Sequence, residues 1–137
     1  MSTAVESVFY VGRSETFRKV ITEGEAVMYA GLVGDTTTPP TGTGLAEAAA
    51  PRLQVNPLLM AGIIGGLLNT HLPGAGAQCL NIQCEFLAPI LAGDVIETSV
   101  ELIELNEEKH LATFRADCYN QNHHQVLTAQ AVMLMPH

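Results

Sequence analysis

Hydrophobic and polar positions alternate along four segments in the second half of the chain, with the period of two that is typical of β-strands. These segments cover residues 78–87, 94–105, 110–119 and 126–135. Residues 15–21, rich in Thr, Phe, Val and Ile, predict a further strand near the start. The turns between the four later segments are short, so we expect them to form an antiparallel meander.

A first helix is predicted to begin after Thr22. The Thr22 hydroxyl can accept a hydrogen bond from the backbone N–H of Glu25, while the Glu25 side chain returns to Thr22, which is the pattern of a capping box. Apolar residues follow with helical spacing, and Gly34 ends the helix.

A central helix is predicted to begin at Asn56, a good N-cap, with Pro57 as its first helical residue. Residues 58–69 are almost entirely apolar, so this helix must be buried, and we expect burial above all at positions 63, 64, 67 and 68. Glycines at positions 62, 65 and 66 each cost roughly 1 kcal/mol of helix propensity. Close approach of another backbone is the expected compensation.

Residues 35–55 break the regular pattern with Thr, Pro and Gly, apart from a short helix predicted at 45–50. Loops of this length in compact domains are often functional. The whole pattern predicts an α+β fold in which a curved antiparallel sheet wraps around the central helix. At 137 residues the chain fits one domain, which we expect to span residues 1–137.

Composition narrows the possible partners. Six basic residues stand against fourteen acidic ones, a formal charge of -8, so we expect no nucleic-acid partner. The longest apolar stretch, residues 58–68, is about half of a membrane span, and no secretory signal is evident, so we expect a soluble, cytoplasmic protein without a membrane partner. With 47% hydrophobic and only 15% charged residues, a homo-oligomer is the default expectation.

Cysteines and histidines predict neither a disulfide framework nor a metal site. Three cysteines form no C-x-x-C pair, fit a reducing compartment and are expected to be buried in strands. Five histidines lack the ligand spacing of a helical zinc site. We therefore assign no metal and no cofactor.

Three motifs carry a resemblance to a known family. They are the spacing from Val11-Gly12 to Gly34-Asp35, the turn Leu72-Pro73-Gly74-x-Gly76, and the hairpin Phe86-x-x-Pro89-x-x-x-Gly93-Asp94. Together with the order of elements, they make the chain from about residue 10 to 136 resemble the MaoC-like (R)-specific enoyl-CoA hydratases. The resemblance implies a hotdog fold and a homodimer or higher homo-oligomer. It also implies a ligand of the acyl-thioester class, carried on coenzyme A or a phosphopantetheine arm, and a role in fatty acid metabolism.

The catalytic signature of that family resembles Asp-x-Asn-Pro-x-His, in which the aspartate and histidine act on one water. Here the aspartate is present as Asp35, and we predict it to be catalytic. Thr37 replaces the asparagine, and Pro40 or Thr41 replaces the histidine. The alternative for Asp35 is a capping carboxylate that binds neighbouring hydroxyl or N–H groups.

The family also opens its central helix with a His-Gly pair whose glycine N–H polarises the thioester carbonyl. This chain has Asn56-Pro57 there, and proline has no N–H. The N–H of Leu58 and the Asn56 amide are possible substitutes, although helix capping alone would explain Asn56. Arg52 could meet a phosphate of the ligand, although a plain surface arginine is as good an explanation. We assign Asn56, Leu58, Thr37, Thr41 and Arg52 to substrate binding.

None of the other histidines is a good candidate for the missing base. His71 follows the central helix, at the end far from Asp35. His110 begins a strand without an evident partner, and His123 and His124 lie in a hairpin turn that we expect to be exposed.

Three functions remain open. The first is hydration or dehydration of enoyl or hydroxyacyl thioesters, with standard activity expected to be weak. The second is thioester hydrolysis by Asp35 beside the start of the central helix. The third is non-catalytic binding of acyl thioesters, alone or as a subunit of a hydratase complex. The identity of the acyl chain and the choice between coenzyme A and a carrier protein stay undetermined.

Overall fold

A computed structural model describes residues 9–35 and 53–136. Their elements follow in chain order: β1 Ser14–Val20, α1 Glu23–Val33, α2 Leu58–Thr70, β2 Gln78–Phe86, β3 Val95–Asn106, β4 Leu111–Tyr119 and β5 Gln125–Leu134. The strands form one antiparallel five-stranded sheet. The predicted α+β hotdog architecture, a curved sheet around a central helix, is confirmed.

The order of strands in the sheet is β1-β3-β4-β5-β2. The expected meander is correct for β3, β4 and β5 but wrong for β2, which pairs with β5 at the sheet edge. β2 and β3 do not form a hairpin because the backbone of the segment between them is hydrogen-bonded to the residues just before α2. The Val55 N–H donates to the Ile90 carbonyl at 2.8 Å, and the Ala92 N–H donates to the Leu53 carbonyl at 2.8 Å. After β2 the chain therefore runs beside residues 53–55, which precede α2, and only then enters β3.

The core lies between α2 and one face of the sheet. Alternate residues of β3 and β4 are buried on that face, as the period of two requires. On α2, Met60, Ile64 and Leu68 are 1%, 1% and 0% exposed and share one helix face. Of the four positions expected to be buried, Ile64 and Leu68 are fully buried, whereas Ile63 and Leu67 are half-buried because they lie to one side of that face.

Among residues 9–35 and 53–136, the glycines of α2 do not mark a close backbone approach. A methyl group added at position 62, 65 or 66 would meet no atom of these residues within 4 Å, its own helix backbone aside. The expected compensation for their low helix propensity is thus absent from the described residues.

Two smaller expectations are also corrected. Cys118 is buried and Cys84 is half-buried, but Cys79 is exposed because β2 is an edge strand with most of its residues accessible. His110 belongs to the turn before β4, where its φ is 58°, and the strand begins at Leu111. Within the described ranges, no helix has the length and apolar character needed to cross a membrane.

Candidate functional site

The end of α1 places Asp35. The predicted capping box starts this helix, since the Glu25 N–H donates to Thr22 Oγ1 at 3.1 Å and the Thr22 N–H donates to Glu25 Oε1 at 3.1 Å. Gly34 ends it with a φ of 76°, a conformation that favours glycine. The Asp35 N–H then donates to the Ala30 carbonyl at 2.8 Å, which holds the half-buried Asp35 beyond the last turn.

Asn56 joins Asp35 to the start of α2. Its Nδ2 donates to Asp35 Oδ2 at 2.9 Å, and its Oδ1 accepts from the Leu58 N–H at 3.0 Å. The helix begins at Leu58 with Pro57 as its N-cap and without a side-chain cap, so the predicted N-cap position of Asn56 is wrong by one residue, although the Asn56 side chain still pairs the first helical N–H. A single amide therefore connects the carboxylate to the helix N-terminus.

The first backbone donors of α2 already have acceptors. The Leu58 N–H binds Asn56 Oδ1, the Leu59 N–H binds the Asn56 carbonyl at 3.0 Å, and the Met60 N–H binds the Pro57 carbonyl at 3.0 Å. Pro57 itself has no N–H. An α-helix normally leaves its first N–H groups unpaired and available to an anion. Here a ligand carbonyl would have to displace the Asn56 side chain to reach the Leu58 N–H.

A shallow cavity of about 330 Å³ lies beside this helix start. It lies between the residues around Asn56 and the end of β2: Gln54, Val55, Pro57 and residues 86–90. Phe86 and Leu87 line it and are 41% and 52% exposed. The surroundings of the Asp35–Asn56 pair therefore include accessible apolar surface.

The structure does not bring His71 to this site. His71 is the C-cap of α2, and the thirteen residues of that helix separate it from Asn56 by roughly 20 Å. There its Nδ1 lies 2.8 Å from Thr70 Oγ1. His123 and His124 lie in the β4–β5 turn and are exposed, as expected.

Three residues assigned to substrate binding, Thr37, Thr41 and Arg52, lie outside the described residues, so their roles stay predictions. The substrate-binding roles of Asn56 and Leu58 also stay predictions. In residues 9–35 and 53–136, no group of three His, Cys, Asp or Glu side chains is arranged to hold a metal ion.

Sequence reasoning missed the contact between Asp35 and Asn56. It treated the two residues separately, although the resemblance placed both in one site. The available signal was an amide, Asn56, at the position of the family's histidine, in a chain that keeps the family's aspartate as Asp35.

Comparison with known proteins identifies the class to which this fold and site belong. No family model matches the chain. The solved (R)-hydratase from A. caviae involved in PHA biosynthesis superposes with a TM-score of 0.81 at 30% identity, covering 93% of this chain and 98% of that one. The unliganded (R)-hydratase PhaJ1 from Pseudomonas aeruginosa gives a TM-score of 0.82 at 24% identity, which supports the fold alone. The class is that of hotdog-fold hydratases.

Sequence relatives define the family more closely. An (R)-specific enoyl-CoA hydratase of Rhodospirillum rubrum is 33% identical over 108 residues, which cover 78% of this chain and 75% of that protein. A 3-hydroxybutyryl-CoA dehydratase of Methylorubrum extorquens is 30% identical over 136 residues, covering 92% and 80%. The chain belongs to the MaoC-like (R)-specific enoyl-CoA hydratase family.

Proposed function

We propose that this chain binds acyl thioesters of coenzyme A or of an acyl carrier protein beside the start of α2. We further propose that it hydrates enoyl thioesters only weakly. Family membership supports the ligand class, since the relatives above are named for hydration or dehydration of CoA thioesters. The observation that carries the second part is the Asn56 amide, which engages both the Asp35 carboxylate and the Leu58 N–H.

Hydration requires a base and an acid to move protons of water, and a donor to stabilise the enolate oxygen of the thioester. A positioned acid or base contributes roughly 10² to 10⁴ in rate, and one oxyanion donor roughly 10² to 10³. In this chain no histidine follows Asp35 in the family's motif, and Pro57 stands where the donor glycine should be. Asp35 can still orient a water molecule, but it would do so without the family's histidine and while bound to Asn56.

The protein is further proposed to be a cytoplasmic homodimer or higher homo-oligomer. Its edge strand β2 is hydrogen-bonded to β5 on one side, while its other side is the end of the sheet. Leu80 on this strand is 52% exposed. Association along such an edge would pair its backbone groups and bury apolar surface. Light scattering at micromolar concentration should give at least a dimer, and a stable monomer would contradict this.

Calorimetric titration tests the binding proposal. Crotonyl-CoA and butyryl-CoA should bind more tightly than free coenzyme A, because the acyl group contributes apolar contacts that the free thiol lacks. Butyryl-CoA has no double bond to hydrate and serves as the matched control for turnover during the titration. Equal affinities for free coenzyme A and both thioesters would show that the acyl group is not recognised, and the proposal would fall.

A further inference from the structure

A buried carboxylate that the proposed function does not use, Asp94, lies directly before β3. Its residue is 3% exposed, and with Gly93 it ends the hairpin motif seen in the sequence. Moving an ionised carboxylate out of water is costly unless hydrogen-bond donors surround it. The donors to Asp94 therefore show which parts of the chain this side chain holds together.

Two segments donate to the Asp94 carboxylate. The Leu91 N–H donates to Oδ2 at 2.9 Å, and Gln121 Nε2 donates to Oδ1 at 3.0 Å. Gln121 lies in the β4–β5 turn, and its Oε1 accepts from the Val95 N–H at 3.0 Å. One exposed amide thus fixes the β4–β5 turn to residues 89–94, which we call the Asp94 turn.

The Asp94 turn positions the chain just before α2. Residues 53–55 are paired with residues 90–92 by two backbone hydrogen bonds of 2.8 Å and by an antiparallel bridge between Gln54 and Leu91. Asn56 follows this segment directly. The place of its amide therefore depends on the Asp94 turn.

The same turn positions the start of α1. The Gly93 N–H donates to the Ile21 carbonyl at 2.7 Å, and the Ile21 N–H donates to the Asp94 carbonyl at 2.9 Å. Ile21 lies directly before the capping box that begins α1, and Asp35 lies beyond the other end of that helix. Both members of the Asp35–Asn56 pair are therefore attached to one turn.

The Asp94 turn also forms part of the wall of the cavity beside α2, through Pro89 and Ile90. Neither Asp94 nor Gln121 lines this cavity. Any effect of these two residues on a ligand there would therefore pass through the backbone of the turn.

We propose that Asp94 and Gln121 are positioning residues for the Asp35–Asn56 pair, and that the hydrogen bond between them tunes the affinity for acyl thioesters beside α2. The inference rests on the proposed function and deepens it. Hydrogen-bonded networks of this kind couple to a site strongly enough to change affinity by about threefold to tenfold.

Gln121→Ala is the first test, because its exposed side chain can be removed with little effect on the core. The affinity of the full chain for butyryl-CoA, measured by calorimetry, should fall by about threefold to tenfold. In the ligand-free variant, the NMR signal of the Asn56 side-chain amide should shift. That signal is assigned by its loss in Asn56→Ala.

A swap of the two groups supplies the rescue. Asp94→Asn turns an NH₂ group toward Gln121, and whichever way the Gln121 amide is turned, one pair of donors then faces each other. Adding Gln121→Glu gives both the new amide and the Val95 N–H a carboxylate oxygen, without changing the net charge. Asp94→Asn should weaken binding as Gln121→Ala does, and the double variant should return to within about twofold of the natural chain.

Gln125→Ala is the matched control. Gln125 lies on the other side of the same turn, and its Nε2 donates to another carboxylate, Asp117 Oδ1, at 2.9 Å. The variant loses the same kind of bond but leaves the Asp94 turn intact, so binding and the Asn56 signal should not change. Thermal unfolding verifies that each variant is folded.

The outcomes separate this proposal from the proposed function. If the natural chain binds butyryl-CoA more tightly than coenzyme A, but Gln121→Ala changes neither that affinity nor the Asn56 signal, the positioning role is overturned and the proposed function stands. An equal effect of Gln125→Ala, or a double variant no better than Asp94→Asn, also overturns the positioning role. If butyryl-CoA binds no better than coenzyme A, the proposed function falls, and a shifted Asn56 signal still supports the positioning of the pair.

Discussion

Replacing Asn56 by alanine should remove one hydrogen bond from the Asp35 carboxylate and one from the first N–H of α2. The variant loses a hydrogen bond to a carboxylate, worth about 1.5–3 kcal/mol when well shielded, and the hydrogen bond from the Leu58 N–H, worth about 0.5–1.5 kcal/mol. Asp35 is only half-buried and the bond from Leu58 is exposed, so values near the lower ends apply. We expect the free energy of unfolding to fall by about 1.5–2.5 kcal/mol.

A double-mutant cycle isolates the contact with Asp35. Asn56→Ala, Asp35→Ala and the double variant are unfolded by urea, and the coupling energy should be about 1 kcal/mol. Thr22→Ala is the control, because it removes a side-chain acceptor, at 3.1 Å, from a backbone N–H at the start of α1 without touching Asp35. Its coupling with Asp35→Ala should be smaller than about 0.3–0.5 kcal/mol. A coupling that small for Asn56 and Asp35 would refute the bridge on which the site description depends.

Three further predictions concern packing, thiol reactivity and pH. Leu68→Ala should lower the free energy of unfolding, measured in urea, by about 2–5 kcal/mol. Leu58→Ala, at a position that is 53% exposed, should change it by only about 0.5 kcal/mol, and similar losses for the two variants would mean that α2 is not oriented as described. Burial raises the pKa of the Cys118 thiol to about 11, so at pH 8 iodoacetamide should leave Cys118 unmodified in the folded chain and alkylate it once the chain is unfolded in urea. Mass spectrometry that found Cys118 labelled at equal rates in both states would contradict this. Because the pKa of Glu25 is lowered in the folded chain, its carboxylate stabilises the fold at pH values above its ordinary pKa of 4.5, and this stabilisation is lost as the pH falls further. The difference in unfolding free energy between the natural chain and Glu25→Gln should therefore shrink below pH 4.5. A difference independent of pH would contradict the ion pair with Lys19.

Local patterns in the sequence were sufficient to predict the described helices and strands, whereas the short helix predicted at 45–50 lies outside the described residues. Alternation located β2 to β5 within one or two residues, because one face of each strand must meet the core. The capping box at Thr22 and the glycine at position 34 bounded α1 because both act within a single helical turn. Family motifs then supplied the hotdog architecture, which local patterns alone do not specify.

Features that depend on distant parts of the chain were not predictable in this way. The position of β2 beside β5 follows from hydrogen bonds between residues 90–92 and residues 53–55, which no local period encodes. The contact between Asp35 and Asn56 joins residues 21 positions apart in the sequence, and no local pattern relates them. Likewise, the half-buried state of Leu67 depends on how β1 lies against α2.

The most direct test of the proposed function is the rate of crotonyl-CoA hydration, measured for this chain and for the Rhodospirillum rubrum hydratase in the same assay. With one acid–base partner and one oxyanion donor missing, turnover should be lower by at least about 10³. Any residual rate should be abolished by Asp35→Asn if Asp35 still orients water. Turnover within tenfold of the relative would contradict the proposal, and a rate unaffected by Asp35→Asn would show that Asp35 serves only to anchor Asn56.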